Sequence, residues 1–133
     1  MKFDHIDRLD RLAGVDHHLS AVIIRAAILY YGLSRGERFI RITEGVRTRE
    51  RQEKLFAEKK TQTLRSYHLT GRAVDVAVMR RIDRQPIWEL GYYRDYADLV
   101  DQASSEFGVL ITWGGSWSGL RDGPHFQIEH LER

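Results

Sequence analysis

The chain has no cysteine among its 133 residues. Disulfides and thiolate metal sites are therefore excluded, and any metal has to be held by imidazole and carboxylate. A long hydrophobic run is also missing. The most apolar stretch, residues 19–33, is too short to span a bilayer and carries Arg25, so membrane insertion is not expected. Charge of one sign does not accumulate either. Lys and Arg are scattered, the formal net charge is +2 and the pI is about 9.0, which makes nucleic acid an unlikely class of partner. Met1 to His5 lead into no apolar core with a small-residue cleavage site, so no export signal is read there. There is no internal repeat, low-complexity tract or linker. A single domain over residues 1–133 is expected, and a monomer.

What is present is a soluble composition, 42% hydrophobic and 30% charged, with readable periodicity. Ile6, Leu9, Leu12 and Ala13 share a helical face, which predicts a short helix over 4–13 ended by Gly14. Leu19, Val22, Ile23, Ala26, Tyr30 and Leu33 predict a core helix over 16–33, with His17 and His18 as surface histidines in its first turn. Ile40, Ile42 and Val46 alternate with Arg41, Thr43 and Arg47 in a strand over 39–47, and Glu44 breaks the apolar face as a bulge or strand end would. Thr48 suits the N-cap of a helix over 49–60, in which Gln52 points inward with Leu55 and Phe56. An inward amide needs a partner, and beside a cleft that partner could be a substrate.

After a polar connection over 61–65, a strand over 73–79 places Val74, Val76 and Val78 on one face and Ala73, Asp75 and Ala77 on the other. Turn signals fill 80–86. A helix over 92–107, with Tyr92, Tyr96, Leu99, Val100 and Ala103 inward, stops at Gly108. A strand over 109–113, a loop built on Gly114, Gly115 and Gly119, and a strand over 125–129 complete the chain. Helices and short strands without a regular βαβ rhythm predict an α+β fold with a central antiparallel sheet flanked by helices.

Two stretches carry chemistry. Ser66-Tyr67-His68-Leu69-Thr70-Gly71-Arg72-Ala73-Val74-Asp75 sets a histidine and an aspartate on either side of a glycine turn. Trp113-Gly114-Gly115-Ser116-Trp117, running on to Asp122-Gly123-Pro124-His125-Phe126, adds a second histidine and a second carboxylate. His68, Asp75 and His125 supply the three protein ligands of a catalytic zinc site, which keeps one position for water. Asp122, three residues before His125, could reach that water without being a ligand. Each piece has a plainer reading: a hydrogen-bonded His–Asp pair, an Asp-Gly-Pro turn, packing tryptophans, a solvated Arg47. Only the joint pattern favours a site that hydrolyses an amide bond.

The joint pattern resembles peptidase family M15, the zinc D-Ala-D-Ala carboxypeptidases and L-alanyl-D-glutamate endopeptidases, and within it the bacteriophage endolysin branch. Ser66, His68, Gly71, Ala73 and Asp75 match the Ser-x-His-x-x-Gly-x-Ala-x-Asp motif. Trp113, Gly114, Gly115 and Trp117 match Trp-Gly-Gly-x-Trp, and Asp122, Pro124, His125 and Phe126 match Asp-x-Pro-His-Phe. Glu44, Gly45, Arg47, Thr48 and Gln52 match an upstream Glu-Gly-x-Arg-Thr-x-x-x-Gln element. The resemblance implies zinc on His68, Asp75 and His125, Asp122 as the catalytic acid/base, and Arg47 steadying a substrate carbonyl or carboxylate. Gln52, Ser66, Tyr67, Trp113 and Trp117 complete the expected substrate-contacting set. Asp122 with Pro124-His125, where carboxypeptidases and dipeptidases more often have Glu and Trp-His, favours an endopeptidase.

The implied fold is the small zinc-peptidase fold shared with lysostaphin-type enzymes and the hedgehog signalling domain. The implied partner is the peptide stem of peptidoglycan, and the implied location is the cytoplasm until release to the wall. A D-Ala-D-Ala carboxypeptidase, a non-catalytic zinc module of the same fold, and a lysozyme-like enzyme using Glu44 and Asp122 are the competing readings.

Overall fold

The computed structural model describes residues 4–59, 66–117 and 121–129; the polar connection expected over 61–65, the end of the helix expected to reach 60, and Gly119 lie outside them. Six strands form one sheet: β1 (Ile6–Asp7), β2 (Arg38–Glu44), β3 (Ala73–Arg80), β4 (Pro86–Ile87), β5 (Ile111–Trp113) and β6 (His125–Ile128). Their order is β1-β2-β3-β6-β5, with β4 pairing β3 off that path. The pairings are antiparallel except the edge strand β1, which runs parallel to β2. Helices α1 (His17–Leu33), α2 (Arg49–Ala57) and α3 (Leu90–Phe107) accompany the sheet. Among the described residues no helix is long and apolar enough to cross a membrane.

Strand parity builds the core. Ile40, Ile42, Val74, Val76, Val78, Phe126 and Ile128 turn one way and pack with α1 and α3 through Leu19, Ile23, Tyr96 and Val100. Tyr96 is the keystone of that layer. Its ring meets Tyr30 edge-on at 5.8 Å and Phe126 at 5.4 Å, and its hydroxyl donates to the Ile23 carbonyl at 2.9 Å. Phe126 is fully buried, a burial that typically stabilises by about 3–5 kcal/mol relative to alanine. The opposite face of the same strands carries Asp75 and His125, paired in register.

Local signals account for most helix ends. Asp16 caps α1 by accepting from the His18 and Leu19 amides, and Thr48 caps α2 by accepting from Arg51. Gly108 ends α3 at φ 68°, in the left-handed region. His17 and His18 are exposed, and Gln52 is wholly buried while Phe56 is half-exposed.

Three features depart from expectation. The helix expected over 4–13 is a short strand followed by a 3-10 turn over Leu9–Leu12, because Arg8 sits at φ 63° and Ile6 pairs beside Ile40. An i, i+3 apolar spacing suits that arrangement as well as it suits a helix. The segment read as pure turn holds β4, whose two residues pair Val78 and Met79. In α3 Tyr96 is inward as expected and is joined by Tyr93, whereas Tyr92 lies part-buried with the Arg38 guanidinium 5.1 Å from its ring.

Tyr93 also closes the sheet where β6 gives way to β4. Its hydroxyl accepts from the Val78 amide at 3.1 Å and donates to the Ile87 carbonyl at 2.8 Å. Burial pushes that phenol up to about 12, so it stays a donor at every working pH. Tyr93→Phe keeps the ring and strands a buried N–H. Urea denaturation should show a loss of about 1–3 kcal/mol with the slope unchanged.

Candidate metal centre

Asp75 lies at the middle of the sheet, opposite Glu44 on β2 and His125 on β6. The β2 pairing slips between Ile42 and Glu44. Without that bulge Glu44 would pair with Val74 and point into the core; with it, Glu44 shares the face of Asp75. His68 arrives from a 3-10 turn over Tyr67–Thr70 that Ser66 caps by accepting from the His68 amide at 3.1 Å. Gly71, at φ 71°, then turns the chain into β3; a Cβ there would come within 2.4 Å of the Gly14 carbonyl oxygen.

The three expected ligand residues converge. His68, Asp75 and His125 offer ligand atoms that all lie within 4.8 Å of one another. His68 Nδ1 is 2.8 Å from the Gly45 carbonyl oxygen, which can only accept, so Nδ1 carries the hydrogen. Nε2 of the same ring is then a lone pair, 3.2 Å from Asp75 Oδ1 and buried with no hydrogen-bond partner among the described residues. Two electron-rich atoms face each other across a gap, an arrangement that a cation relieves. His125 Nδ1 donates to the same Oδ1 at 3.0 Å, and its Nε2 faces the Gln127 Oε1 at 2.8 Å. Two imidazoles and one carboxylate without sulfur suit zinc or a similar divalent ion.

The protonation balance agrees. Burial pushes the Asp75 carboxyl up, but the hydrogen bond from His125 leads the interactions that outweigh it and hold it well below the usual carboxylate range. Burial lowers His125, and Asp75 more than restores it, so the imidazole is drawn toward its protonated form. A metal ion would take the place of that proton. Asp122 is raised, by burial first and then by the charge of Asp75. Glu44, Asp75 and Asp122 gather three carboxylates about the Arg47 guanidinium, with the Arg51 guanidinium also 3.8 Å from Glu44.

Arg47 is 8% exposed and firmly held. Its Nε and Nη2 donate to the two oxygens of Glu44 at 2.7 Å each, and Nη1 donates to Gln52 Oε1 at 2.7 Å. Nη2 also lies 3.8 Å from Asp75 Oδ2. The inward Gln52 thus has Arg47 as a partner within the protein. The expected substrate-contacting set divides similarly. The Ser66 hydroxyl is a cap. The Tyr67 hydroxyl donates to Glu129 at 3.3 Å, and the Arg72 guanidinium covers its ring at 4.8 Å. Trp113 donates to the Gly123 carbonyl at 2.7 Å and packs against the core. Trp117 alone of the five stands open, 36% exposed, with its ring 5.2 Å from that of His125.

Sequence reasoning did not single out Gln127 and Glu129, which extend the network beyond His125. Strand alternation was the available signal, since it puts residues 125, 127 and 129 on one face.

Comparison with known proteins agrees with this geometry. The profile of a family described as D-alanyl-D-alanine carboxypeptidase matches residues 59–128. An L-alanyl-D-glutamate peptidase of Listeria phage A118 is 35% identical over 89 residues, covering 67% of this chain and 30% of that protein. The chain thus spans under a third of the length of that curated relative. The crystal structure of the Serratia marcescens L-Ala D-Glu endopeptidase ChiX superposes with a TM-score of 0.80 at 38% identity, covering 90% of this chain and 84% of that one.

The loop before His125 tolerates no side chain at Gly114. A Cβ there would lie 2.4 Å from the Asp122 carbonyl oxygen and 3.1 Å from the His125 Cβ. Gly114→Ala should therefore displace Asp122 and His125, lowering the melting temperature and weakening divalent-metal binding in a titration. Gly91→Ala, whose Cβ would meet nothing within 4 Å, is the control and should leave both unchanged or raise stability slightly.

Proposed function

Because the chain belongs to the D-alanyl-D-alanine carboxypeptidase family, peptidase family M15, we propose that it is a zinc peptidase that hydrolyses an amide bond in the peptide stem of peptidoglycan. The bond we assign is that between L-alanine and D-glutamate. The relatives named for that specificity support the choice, as do Asp122 and Pro124-His125 in the last motif. The observation that carries the metal reading is the buried, unpartnered Nε2 of His68 facing Asp75 beside His125.

His68, Asp75 and His125 would hold the zinc. When bound there, zinc polarises the scissile carbonyl and makes water a competent nucleophile near neutral pH. Asp122 accepts the proton of the attacking water and returns it to the leaving amine. Its raised affinity for protons suits both halves of that task. Arg47 spends three of its five N–H groups on Glu44 and Gln52, which fixes the plane of the guanidinium. The remaining two serve a substrate oxygen, and the positive charge beside Asp75 favours the oxyanion that develops at the carbonyl carbon. Glu44 is committed to Arg47, which removes it as the primary base and, with the converging His–Asp–His set, argues against a lysozyme-like use of Glu44 and Asp122. Trp117 walls the cleft over His125. Ser66, Tyr67, Trp113 and Gln52 act one step back, holding His68, the 122–125 turn and Arg47 in place.

Mass spectrometry of digested peptidoglycan tests the assignment. New amino termini on D-glutamate are expected, without new reducing ends, and a chelator should abolish their appearance until zinc is restored. Release of free D-alanine would identify a carboxypeptidase instead, and new reducing ends would mean that a glycosidic bond is cut.

Asp122→Asn separates the base from the ligands. It should lower kcat by about 10²–10⁴-fold while zinc content stays at that of the unmodified protein. In the unmodified enzyme a protonated Asp122 cannot accept a proton. Burial displaces its titration upward, so kcat/KM should fall on the acid side at a higher pH than an exposed aspartate would give. That limb should be missing from the residual activity of the variant.

A further inference from the structure

A chain of hydrogen bonds runs outward from the imidazole of His125. Its Nε2 faces Gln127 Oε1 at 2.8 Å, Gln127 Nε2 donates to Glu129 Oε1 at 3.1 Å, and Glu129 Oε2 accepts from the Tyr67 hydroxyl at 3.3 Å. The direction of this chain is determined by its end. A carboxylate only accepts, so Glu129 obliges Gln127 to turn its NH₂ outward and its carbonyl oxygen inward. That oxygen in turn accepts only, so Nε2 of His125 carries a hydrogen. Nδ1, the nitrogen turned to Asp75 at 3.0 Å, is then the one available to a metal.

We propose that Gln127 and Glu129 are positioning residues that set the tautomer and ring orientation of His125 for metal binding, with Tyr67 anchoring the far end. This rests on the metal-peptidase reading. His68 has a comparable device in the Gly45 carbonyl at 2.8 Å, but that acceptor is backbone and cannot be altered by substitution. At His125 the acceptor is a side-chain amide that could face either way, and the charge on Glu129 removes the choice. The chain also joins the two motif stretches, since Tyr67 immediately precedes one ligand and Gln127 follows the other by two residues. Outer partners of this kind orient imidazole ligands and raise their basicity, and their loss typically weakens metal binding about 10–100-fold.

The test is zinc titration against a competing chelator, together with the imidazole N–H resonances of the zinc-loaded protein. The unmodified protein should bind zinc and show a solvent-protected Nε2–H signal from His125. Gln127→Met keeps the length and removes the strong acceptor; it should bind zinc about 10–100-fold more weakly and lose that signal to exchange. Gln127→Glu restores an acceptor and should recover most of the affinity and the signal. Should Gln127→Met fold poorly by circular dichroism, Gln127→Ala replaces it in the same comparison. Unmodified affinity with the signal intact in Gln127→Met would overturn the proposal. So would a Gln127→Glu protein as weak as the Met variant, because packing rather than the acceptor would then be at work. Failure of the unmodified protein to bind zinc would overturn the metal-peptidase reading and this inference with it, a result distinct from failure of the variants alone.

Discussion

A carboxylate embedded in the middle of a sheet is the constraint around which this molecule is arranged. Asp75 sits on β3, the central strand of the order β1-β2-β3-β6-β5, and its side chain is only 21% exposed. An isolated charge in that position would be costly. It is tolerated because His125 donates to it from the adjacent strand, with the Arg47 guanidinium beyond, while the His68 lone pair that faces it from the preceding turn leaves a place for a cation. The register that pairs Asp75 with His125 is therefore both a structural necessity and the origin of the site.

The second consequence is the treatment of Glu44. Simple alternation would send its side chain into the core beside Ile40 and Ile42. One extra residue in β2 turns it to the polar face instead, where it grips Arg47 through both oxygens. Arg47 is in turn held by the buried Gln52 of α2, whose Oε1 accepts from Nη1. Removing Glu44 would take from the buried Arg47 guanidinium its bidentate partner and leave Asp75 at 3.8 Å, a destabilising change. A bulge, an ion pair and a buried amide thus act as one unit, and that unit places a rigid positive charge beside His68, Asp75 and His125. The same economy governs the glycines. Gly114 lets Asp122 and His125 lie against the 3-10 turn over Gly114–Ser116, and Gly71 lets the turn bearing His68 pass close to Gly14.

The amino-acid sequence by itself determined the elements and the reacting groups. Apolar periodicity located α1 and α3, and alternation on β3 and β6 turned Asp75 and His125 away from the core, because side-chain direction along a helix or strand is a local property of the backbone. Motif spacing named His68, Asp75, His125 and Asp122 for the same reason, since each stretch carries its own turn chemistry, whereas Arg47 was named only by the family resemblance. The tertiary structure decided which polar atoms meet across the chain. Tyr67 reaches Glu129 over 62 residues and His125 reaches Asp75 over 50. It assigned Gln52 to Arg47 and Trp113 to Gly123, left Trp117 as the open aromatic wall, and brought in Gln127 and Glu129. It also made β1 a strand, through pairing with Ile40 that no local signal at 4–13 contains. Hydrogen-bond partners, tautomers and short edge strands depend on register between distant segments, and register is fixed only when the whole core closes.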